Sequence, residues 1–266
     1  KTVLSIAGSD CSGGAGIQAD LKTIAAHRLY GMSVITALTA QNTTGVYGVL
    51  PTPPAFVKQQ LDCVFGDIRP DAVKIGMAVN EQILMAIAQS LADYRARNIV
   101  VDPVMISTSG SRLLSPAAVD ALVAHLLPLA TLITPNLPET QAFCGFAVQS
   151  EADMLRAAKT LSGRIGTAVL IKGGHLQDAA ADLLYEGDTA HWFRTERVET
   201  ANTHGTGCTL SSAIACNLAS GLSLVQSVAA AKAYLTGALA AGLNLGQGNG
   251  PVNHTYWTRI QTQDML

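Results

Sequence analysis

Four consecutive residues near the end of the chain, Gly205-Thr206-Gly207-Cys208, could bind and transfer a phosphoryl group. They open a stretch of small residues with helical character, so their backbone N–H groups would converge at a helix N-terminus. Glycine lets the backbone approach an anion closely, Thr206 or Thr209 could cap the helix, and the positive end of the helix dipole favours negative charge. Cys208 adds a potential nucleophile or base. We expect a turn for phosphoryl transfer, although a G-x-G pair alone also fits an ordinary helix start.

A second glycine cluster lies near the start of the chain. Gly8-Ser9-Asp10 follows the apolar run Val3 to Ala7, and Gly13-Gly14-Ala15-Gly16 then opens an amphipathic segment. Both are typical of strand-to-helix turns, and open α/β sheets bind ligands at such turns, beyond the carboxyl ends of parallel strands. No Walker A lysine follows the cluster, and its spacing is not G-x-G-x-x-G. The pattern therefore argues against a P-loop or a dinucleotide-binding fold.

The elements that must position these turns follow from an alternation of short apolar runs and longer amphipathic segments. The apolar runs predict buried strands at Val34 to Leu38, Ala72 to Ile75, Ile99 to Val101, Leu132 to Thr134 and Val169 to Ile171. The longer segments predict helices at Leu21 to His27, Glu81 to Arg97, Pro116 to Leu127, Glu151 to Leu161 and Ser223 to Leu245. This alternation predicts a doubly wound α/β fold with a mainly parallel central sheet flanked by helices.

Two further segments complete the predicted organisation. Asp182 to Glu186 and His191 to Thr195 are separated by Gly187-Asp188, which predicts a small hairpin at the far edge of the sheet. The polar loop Ser107 to Ser111 directly follows a predicted strand, so it is either a mobile lid over a ligand or an ordinary surface loop. No repeat or long linker interrupts the pattern, and we expect one domain over residues 1–266.

Composition restricts the class of partner. The 266 residues are 48% hydrophobic and 14% charged, which suits a large buried core, and the net charge of −2 offers no basic surface for nucleic acid. The apolar stretch Ser227 to Leu245 contains Lys232 and is too short for a confident membrane span. The five cysteines form no C-x-x-C pair and no leader pattern precedes the first strand. We expect a cytoplasmic protein with small-molecule partners, no nucleic acid and no membrane association.

Longer motifs are distributed over nearly the whole chain. They are Ala7-Gly8-Ser9-Asp10, Ser12 to Lys22, Ala40-Gln41-Asn42-Thr43, Lys74-Ile75-Gly76-Met77, Asp102-Pro103-Val104-Met105, Thr134 to Glu139, Lys172-Gly173-Gly174-His175 and Thr203 to Cys208. Together they resemble the hydroxymethylpyrimidine and phosphomethylpyrimidine kinases of thiamine synthesis, in the ribokinase-like superfamily. The resemblance implies a ribokinase-like fold, a homodimer, Mg²⁺, and ATP as co-substrate. It also implies phosphorylation of 4-amino-5-hydroxymethyl-2-methylpyrimidine to the monophosphate and then to the diphosphate.

Gln41 is the most informative candidate for substrate selection. Its amide presents an acceptor and a donor side by side, which matches the amino group and the adjacent ring nitrogen of an aminopyrimidine. A glutamine that only caps a turn is the alternative. The resemblance adds Asp20 as a substrate-contacting acid, with Gly8, Val104 and Met77 as walls of the pocket. Asp20 could instead be a solvent-facing charge, and Met77 could simply fill the core.

Asn136 and Glu139 stand three residues apart, so they would face the same side of a helix that begins at Leu137. One glutamate beside nucleotide phosphates suits Mg²⁺, which keeps several of its waters. A capping box, with Asn136 as N-cap and Glu139 as its partner, is the alternative, and both roles are compatible.

The nucleotide side of the site is implied mainly by the resemblance. Lys172, at the end of an apolar strand, resembles the residue that reaches the ATP phosphates, and its charge would offset developing negative charge. Thr206, Asn136 and Lys232 are further candidates for contact with the nucleotide. Lys172 together with Gly205, Gly207 and Cys208 would form the catalytic set. Asp102 follows another strand and would act on metal or phosphate indirectly.

Cys208 departs from many ribokinase-like enzymes, which have an aspartate base at this place, and agrees with the pyrimidine kinase branch. A thiolate at a helix N-terminus could have a lowered pKa and deprotonate the hydroxymethyl group. Alternatively, a neutral thiol would spare the second step the repulsion between an aspartate and a phosphate acceptor. His175 and His204 have no obvious acid partner in the sequence, so we expect them to be structural.

Two other functions fit parts of the sequence. Pyridoxal kinases share the scaffold, but pyridoxal lacks the aminopyrimidine edge that Gln41 matches, and the predicted lid from Met105 to Arg112 has no cysteine to trap its aldehyde. A metabolite sensor without catalysis would not need the combined set of Lys172, Cys208 and Glu139.

Overall fold

The alternating segments fold around one eight-stranded sheet in the part of the chain that the computed structural model describes, residues 1–105, 114, 116–174 and 180–257. Its strands are β1 (Thr2–Ala7), β2 (Tyr30–Ile35), β5 (Ala72–Ile75), β6 (Ile99–Val101), β7 (Leu132–Ile133), β8 (Ala168–Ile171), β9 (Ala180–Glu186) and β10 (Thr189–Thr195). A separate two-stranded sheet contains β3 (Ala37–Asn42) and β4 (Gly45–Pro51). The order across the large sheet is β10-β9-β8-β7-β6-β5-β1-β2.

Helices cover both faces of the large sheet. They are α1 (Gly16–Ala26), α2 (Pro54–Asp67), α3 (Glu81–Asp93), α4 (Pro116–Ala121), α5 (Leu137–Cys144), α6 (Glu151–Ile165), α7 (Thr206–Ala219) and α8 (Leu224–Ala240). One buried cluster joins residues such as Leu4 and Ile75 to helices α2 to α6, and the other joins Val3 and Val100 to α1, α7 and α8. Neighbouring residues of a strand point to opposite faces, so Val3 and Leu4 enter different clusters.

The strand order places a ligand crevice at one position. The strand β1 lies between β2 and β5 and is parallel to both, so the chain leaves β1 toward one edge and leaves β5 toward the other. A crevice opens beyond the carboxyl ends of strands where the order reverses in this way. Gly8 follows β1, and Gly76 and Met77 follow β5. Residues from two of the predicted motifs therefore meet at this switch point.

The predicted fold class is confirmed, including the edge hairpin. The strands β1, β2 and β5 to β8 are parallel, whereas β9 and β10 are antiparallel, with Glu186 opposite Thr189. Gly187 and Asp188 have φ of +51° and +65°. Two successive positive φ angles are typical of the tight turns that match the twist of a hairpin.

Several predicted boundaries were wrong. The run Val34 to Leu38 is divided at Thr36, whose N–H donates to the Ala7 carbonyl, and the chain then enters the β3–β4 sheet. The first helix begins at Gly16 rather than Leu21, and α8 ends at Ala240, shortly before Gly242 with its φ of +38°.

Other differences concern whole segments. The helix α2 was not predicted, and the segment Pro116 to Leu127 continues from α4 into a π-helical turn, Leu122–Leu126. The predicted lid, apart from Met105, and His175 lie outside the described residues.

Candidate active site

The Gly205–Cys208 segment, hereafter the phosphate turn, opens α7 as the sequence predicted. Gly205 is the N-cap residue with φ of +82°, and a Cβ atom there would collide with the carbonyl oxygen of Gly14. The two glycine clusters therefore touch, and glycine is required at this position. No side chain caps α7, so the expectation that Thr206 or Thr209 caps it was wrong: Thr206 is the first helical residue, and the Thr209 hydroxyl donates to the Gly205 carbonyl. The uncapped first turn leaves backbone N–H groups for an anion.

Lys172 and Asp102 lie against the phosphate turn. Lys172 Nζ donates to Asp102 Oδ1 at 2.7 Å, and Thr134 Oγ1 donates to the same oxygen at 3.1 Å. A Cβ atom on Gly207 would stand 3.0 Å from Asp102 Oδ2 and 3.5 Å from Lys172 Nζ. Burial acts to lower the pKa of Lys172, but the carboxylates of Asp102 and Glu139 hold it above its usual value. A cation is thus kept charged beside the uncapped helix end.

Asn136 and Glu139 form the capping box that the sequence offered as an alternative. The Glu139 N–H donates to Asn136 Oδ1 at 2.8 Å, and the Asn136 N–H donates to Glu139 Oε2 at 2.9 Å. The second oxygen of Glu139 accepts from the Met105 N–H at 3.3 Å. Burial raises the pKa of Glu139 to about 7, Lys172 opposes this, and Asp102 adds to it. The carboxyl group is therefore next to the Lys172–Asp102 pair.

Lys232 reaches the same region from α8. Its Nζ donates to Asp182 Oδ2 at 2.6 Å, and Asp182 Oδ1 accepts from the Gly173 N–H at 2.9 Å. Gly173 directly follows Lys172. The Lys232–Asp182 pair therefore supports the loop that carries Lys172. Lys232 was expected to contact the nucleotide, whereas in the structure it binds Asp182 behind that loop.

The expected pocket walls lie around the switch point. A Cβ atom on Gly8 would collide with Cε of Met77, so these two residues are in contact, and Met77 and Val104 are both half-buried. Thr36 Oγ1 donates to the Met77 carbonyl at 2.6 Å and joins this wall to the start of β3. The structure brings Gly8 and Met77 together.

Gln41 lies on β3 with its side chain half-buried. Its Oε1 is 3.3 Å from Thr39 Oγ1 and its Nε2 is 3.5 Å from His204 Nε2, one residue before the phosphate turn. Cys11 Sγ donates to its carbonyl oxygen. A cleft of about 390 Å³ lies beside it, lined by Ser12, Gly14, Asn42, Thr43, Thr44, His204, Leu245, Gly246, Gln247 and Pro251. Gln41 therefore contacts the residue that directly precedes the phosphate turn.

Asp20 has a different place from the one expected. Its carboxylate is completely buried and accepts from Lys74 Nζ at 2.8 Å, from Ser212 Oγ at 2.9 Å and from Ser5 Oγ. The described structure leaves this carboxylate no surface for substrate, and it is not a solvent-facing charge. Burial acts to lower the pKa of Lys74, but Asp20 outweighs it and holds that pKa above its usual value. Asp20 thus balances a buried cation beneath the site.

Cys208 carries a neutral thiol. The side chain is half-buried, burial raises its pKa to about 11, Lys74 opposes the rise, and Asp20 and Asp102 add to it. The possibility of a lowered pKa was therefore wrong, because the two carboxylates and burial outweigh the helix N-terminus and Lys74.

His204 has the acid partner that the sequence did not reveal. Its Nε2 lies 2.8 Å from Asp10 Oδ2, and Asp10 also accepts hydrogen bonds from Ser12, Gly14 and Ala15. Burial acts to raise the pKa of Asp10, but the hydrogen bonds from His204 and Ser12 hold it well below its usual range. The aspartate two residues before Ser12 signals a local turn. No local signal connects it to a histidine 194 positions away.

A family model described as phosphomethylpyrimidine kinase matches residues 10–253. The chain belongs to the phosphomethylpyrimidine kinase family. A hydroxymethylpyrimidine/phosphomethylpyrimidine kinase of Rhizobium meliloti is 52% identical over 255 residues, which cover 94% of this chain and 96% of that protein. A thiamine biosynthesis bifunctional protein of Geobacter sulfurreducens is 50% identical over 254 residues. The match covers 95% of this chain but 52% of the Geobacter protein, so the chain spans about half of that relative.

Solved structures agree with the fold. A structure of the pyridoxal kinase from Staphylococcus aureus in complex with AMP-PCP and pyridoxal is similar, with a TM-score of 0.90 and 37% identity. The match covers 98% of this chain and 95% of that one. This member of the phosphomethylpyrimidine kinase family is a kinase with a ribokinase-like fold, as its motifs predicted.

Proposed function

We propose that this kinase transfers a phosphoryl group from ATP to 4-amino-5-hydroxymethyl-2-methylpyrimidine, and then a second one to the resulting monophosphate. The observation that carries the proposal is the junction at residues 204 and 205. There His204 touches the amide of Gln41, and Gly205 opens the phosphate turn beside Lys172 and Asp102. The donor–acceptor pair of Gln41, which matches an aminopyrimidine edge, thus lies one contact away from an anion site. The names of the relatives support this assignment.

The chain's own groups supply charge neutralisation and positioning. Backbone N–H groups of the phosphate turn would receive the oxygens of the transferred group, where they are worth most in a site that excludes water. Lys172 would neutralise the nucleotide phosphates, with Asp102 holding its ammonium group in place. Lys232 and Asp182 keep the loop after β8 in position. Thr206 and Asn136 lie at the starts of α7 and α5, where each could contact the nucleotide.

We propose Mg²⁺ as the metal, held through Glu139 with Asn136 beside it. Among the described residues no group of three or more histidine, cysteine, aspartate and glutamate side chains could hold a metal by itself. This agrees with Mg²⁺, which keeps several waters and uses one or two carboxylates together with phosphates. The negative charge of Asp102 helps to raise the pKa of Glu139, and a bound cation would relieve this repulsion as Lys172 does, so the donor set suits a cation. Bound Mg²⁺ would neutralise phosphate charge during transfer.

The second phosphorylation explains why a thiol is useful. A phosphate acceptor is already largely ionised, so it needs little base but is repelled by nearby negative charge. Two unit charges about 4 Å apart repel by about 4 kcal/mol at an effective dielectric near 20, before salt screening. Cys208, with its raised pKa, contributes no such charge at neutral pH.

Substitution of Cys208 by aspartate tests this charge argument. Cys208→Asp should lower kcat/KM for the monophosphate at least about 10-fold more than for the alcohol, because only the former acceptor is dianionic. Cys208→Asn, which has the same shape as aspartate but no charge, is the matched control and should affect both acceptors alike. Initial rates with each acceptor give the comparison. Equal losses in Cys208→Asp would refute the charge argument.

We propose a homodimer formed through the β3–β4 sheet. Its cross-strand partners Leu38 and Leu50 are 52% and 66% exposed, and Tyr47 is 70% exposed. A two-stranded sheet is only marginally stable alone, and exposed apolar patches mark interaction surfaces. Leu50→Glu should therefore shift the sedimentation equilibrium from dimer to monomer. Met85→Glu, at an exposed apolar residue on α3, should leave it unchanged. A monomeric parent protein would contradict the proposal.

We also propose a cytoplasmic location. All five cysteines are free thiols, which suits a reducing compartment. In the described part of the chain, no helix combines the length and apolar character that a bilayer span requires.

An ATP assay with three acceptors tests the proposed function directly. The aminopyrimidine alcohol, its monophosphate and pyridoxal are each incubated with ATP, with and without Mg²⁺, and the products are resolved by mass. We expect turnover of both pyrimidines, much poorer turnover of pyridoxal, and none without the metal. Preference for pyridoxal would contradict the proposal and indicate a pyridoxal kinase, an activity found in proteins that share this fold. Absence of ATP turnover with all three would revive a sensor without catalysis.

A further inference from the structure

The amide of Gln41 lies between two polar neighbours. Thr39 Oγ1 is 3.3 Å from one end of the amide and His204 Nε2 is 3.5 Å from the other. A half-turn about the last side-chain bond exchanges the amide oxygen and nitrogen without moving other atoms. The hydrogen-bonding character of the two neighbours therefore decides which end faces which.

His204 Nε2 is a donor. Its partner at 2.8 Å is Asp10, which remains an ionised carboxylate because its pKa is held well below the usual range. An ionised carboxylate only accepts, so the shared proton resides on Nε2 whether the imidazole is neutral or charged. Asp10 takes the main hydrogen bond from this N–H, so the amide oxygen would share the proton as a weaker second acceptor, whereas the amide NH₂ group would face it and be repelled.

Thr39 is an acceptor toward the amide. Its one hydroxyl proton is donated to the Ser9 carbonyl at 2.7 Å, which leaves only lone pairs for Gln41. The amide oxygen would face those lone pairs, whereas the amide NH₂ group could donate to them. Both neighbours therefore favour the same orientation, with Oε1 toward His204 and Nε2 toward Thr39.

We propose that Asp10, His204 and Thr39 form an orientation lock for Gln41. The lock presents the amide edge with its acceptor on the His204 side and its donor on the Thr39 side. A ligand that pairs with this edge must bring a donor to the His204 side and an acceptor to the Thr39 side. An aminopyrimidine meets this requirement, because its amino group is a donor and the adjacent unprotonated ring nitrogen is an acceptor. His204 and Thr39 are positioning residues, since they act through Gln41. The consequence for substrate choice rests on the proposed function.

Two substrates of nearly the same shape can show whether the Gln41 amide is held in one orientation. The aminopyrimidine alcohol has a donor amino group next to an acceptor nitrogen, whereas its 4-oxo analogue, 5-hydroxymethyl-2-methylpyrimidin-4(3H)-one, has an acceptor oxygen next to an N–H donor. The two molecules have nearly the same shape and opposite hydrogen-bonding order. A locked amide should reject the 4-oxo analogue, and an unlocked amide could turn to accept it.

Kinetics with His204→Met and His204→Gln test the consequence. We expect the parent protein to prefer the aminopyrimidine by about 100-fold or more in kcat/KM, because the wrong order leaves buried polar groups unpaired. His204→Met should reduce the preference to about 10-fold or less, mainly through KM, since the donor is lost. His204→Gln returns an N–H near the place of Nε2 and should restore most of it. Equal losses on both substrates in His204→Met would overturn the lock.

Neutron diffraction of the ligand-free, deuterated protein tests the orientation without any turnover. We expect the two deuterium atoms of the Gln41 amide on the side of Thr39 and one deuterium on His204 Nε2. Deuterium atoms of the amide facing His204 would overturn the proposal. Failure of the parent protein to use the aminopyrimidine would instead contradict the proposed function, and the neutron result would still decide the orientation.

Discussion

Gly207→Val is expected to lower kcat by about 10³-fold, because the added side chain would block access to the backbone N–H groups of the phosphate turn, and loss of one oxyanion donor alone costs about 10²- to 10³-fold. The first added carbon would stand 3.0 Å from Asp102 Oδ2 and 3.5 Å from Lys172 Nζ, and the branched side chain would enter the space where a phosphoryl group must lie. The backbone at Gly207 has no positive φ, so valine adds no left-handed strain there. Activity should therefore fall far more than stability, as kinetics and thermal unfolding would show together.

Gly163→Val is the matched control for this substitution. Gly163 lies in α6, and a Cβ atom there meets nothing within 4 Å. The same chemical change at this open helical position should leave turnover within about 2-fold of the parent, since surface changes away from special features have small effects. Normal turnover in a correctly folded Gly207→Val protein would contradict the assignment of the phosphate turn.

Lys74→Met is expected to destabilise the protein by about 3–5 kcal/mol, the cost of removing one partner of a buried ion pair. Both side chains are completely buried, and the substitution leaves the Asp20 carboxylate without its cation. Its remaining side-chain partners are the hydroxyl groups of Ser5 and Ser212. Urea unfolding followed by circular dichroism, with an unchanged dependence on denaturant, gives the free energy of unfolding.

The double variant Lys74→Met with Asp20→Asn separates charge from packing. Removal of the second charge should recover more than half of the lost stability, because an uncharged amide can keep hydrogen bonds with Ser5 and Ser212. A loss below about 1 kcal/mol in Lys74→Met, or no recovery in the double variant, would show that the ion pair does not support the fold as proposed.

The predicted local structure around the site was correct where the interacting residues are close in the sequence. The segment Gly205 to Cys208 was expected to open a helix, and the structure confirms a helix start there, although without the expected threonine cap. Asn136 and Glu139 were expected to face one side of a helix, and they form a capping box. Such patterns are readable because their partners lie within one helical turn.

The sequence misplaced Asp20 and left the state of Cys208 open, because the environments of both residues are assembled from distant segments. Asp20 looked like a pocket acid on an amphipathic helix, but Lys74 and Ser212 arrive from β5 and α7 to enclose it. Cys208 sits at a helix N-terminus, which favours a thiolate, yet burial and the carboxylates of Asp20 and Asp102 raise its pKa. No local pattern reports how deeply a side chain will be buried.

The sequence by itself determined the alternation of strands and helices, the edge hairpin around Gly187, the glycine turns and the family. The first three depend on backbone preferences or hydrophobic periodicity over a few neighbouring residues, whereas the family was indicated by the resemblance of motifs along nearly the whole chain. Only the tertiary structure decided that His204 pairs with Asp10, that Asp20 is sealed against Lys74, and that the Cys208 thiol is neutral. The reason is physical: hydrogen-bond partners, desolvation and charge fields come from residues far apart in the chain, and packing alone brings them together.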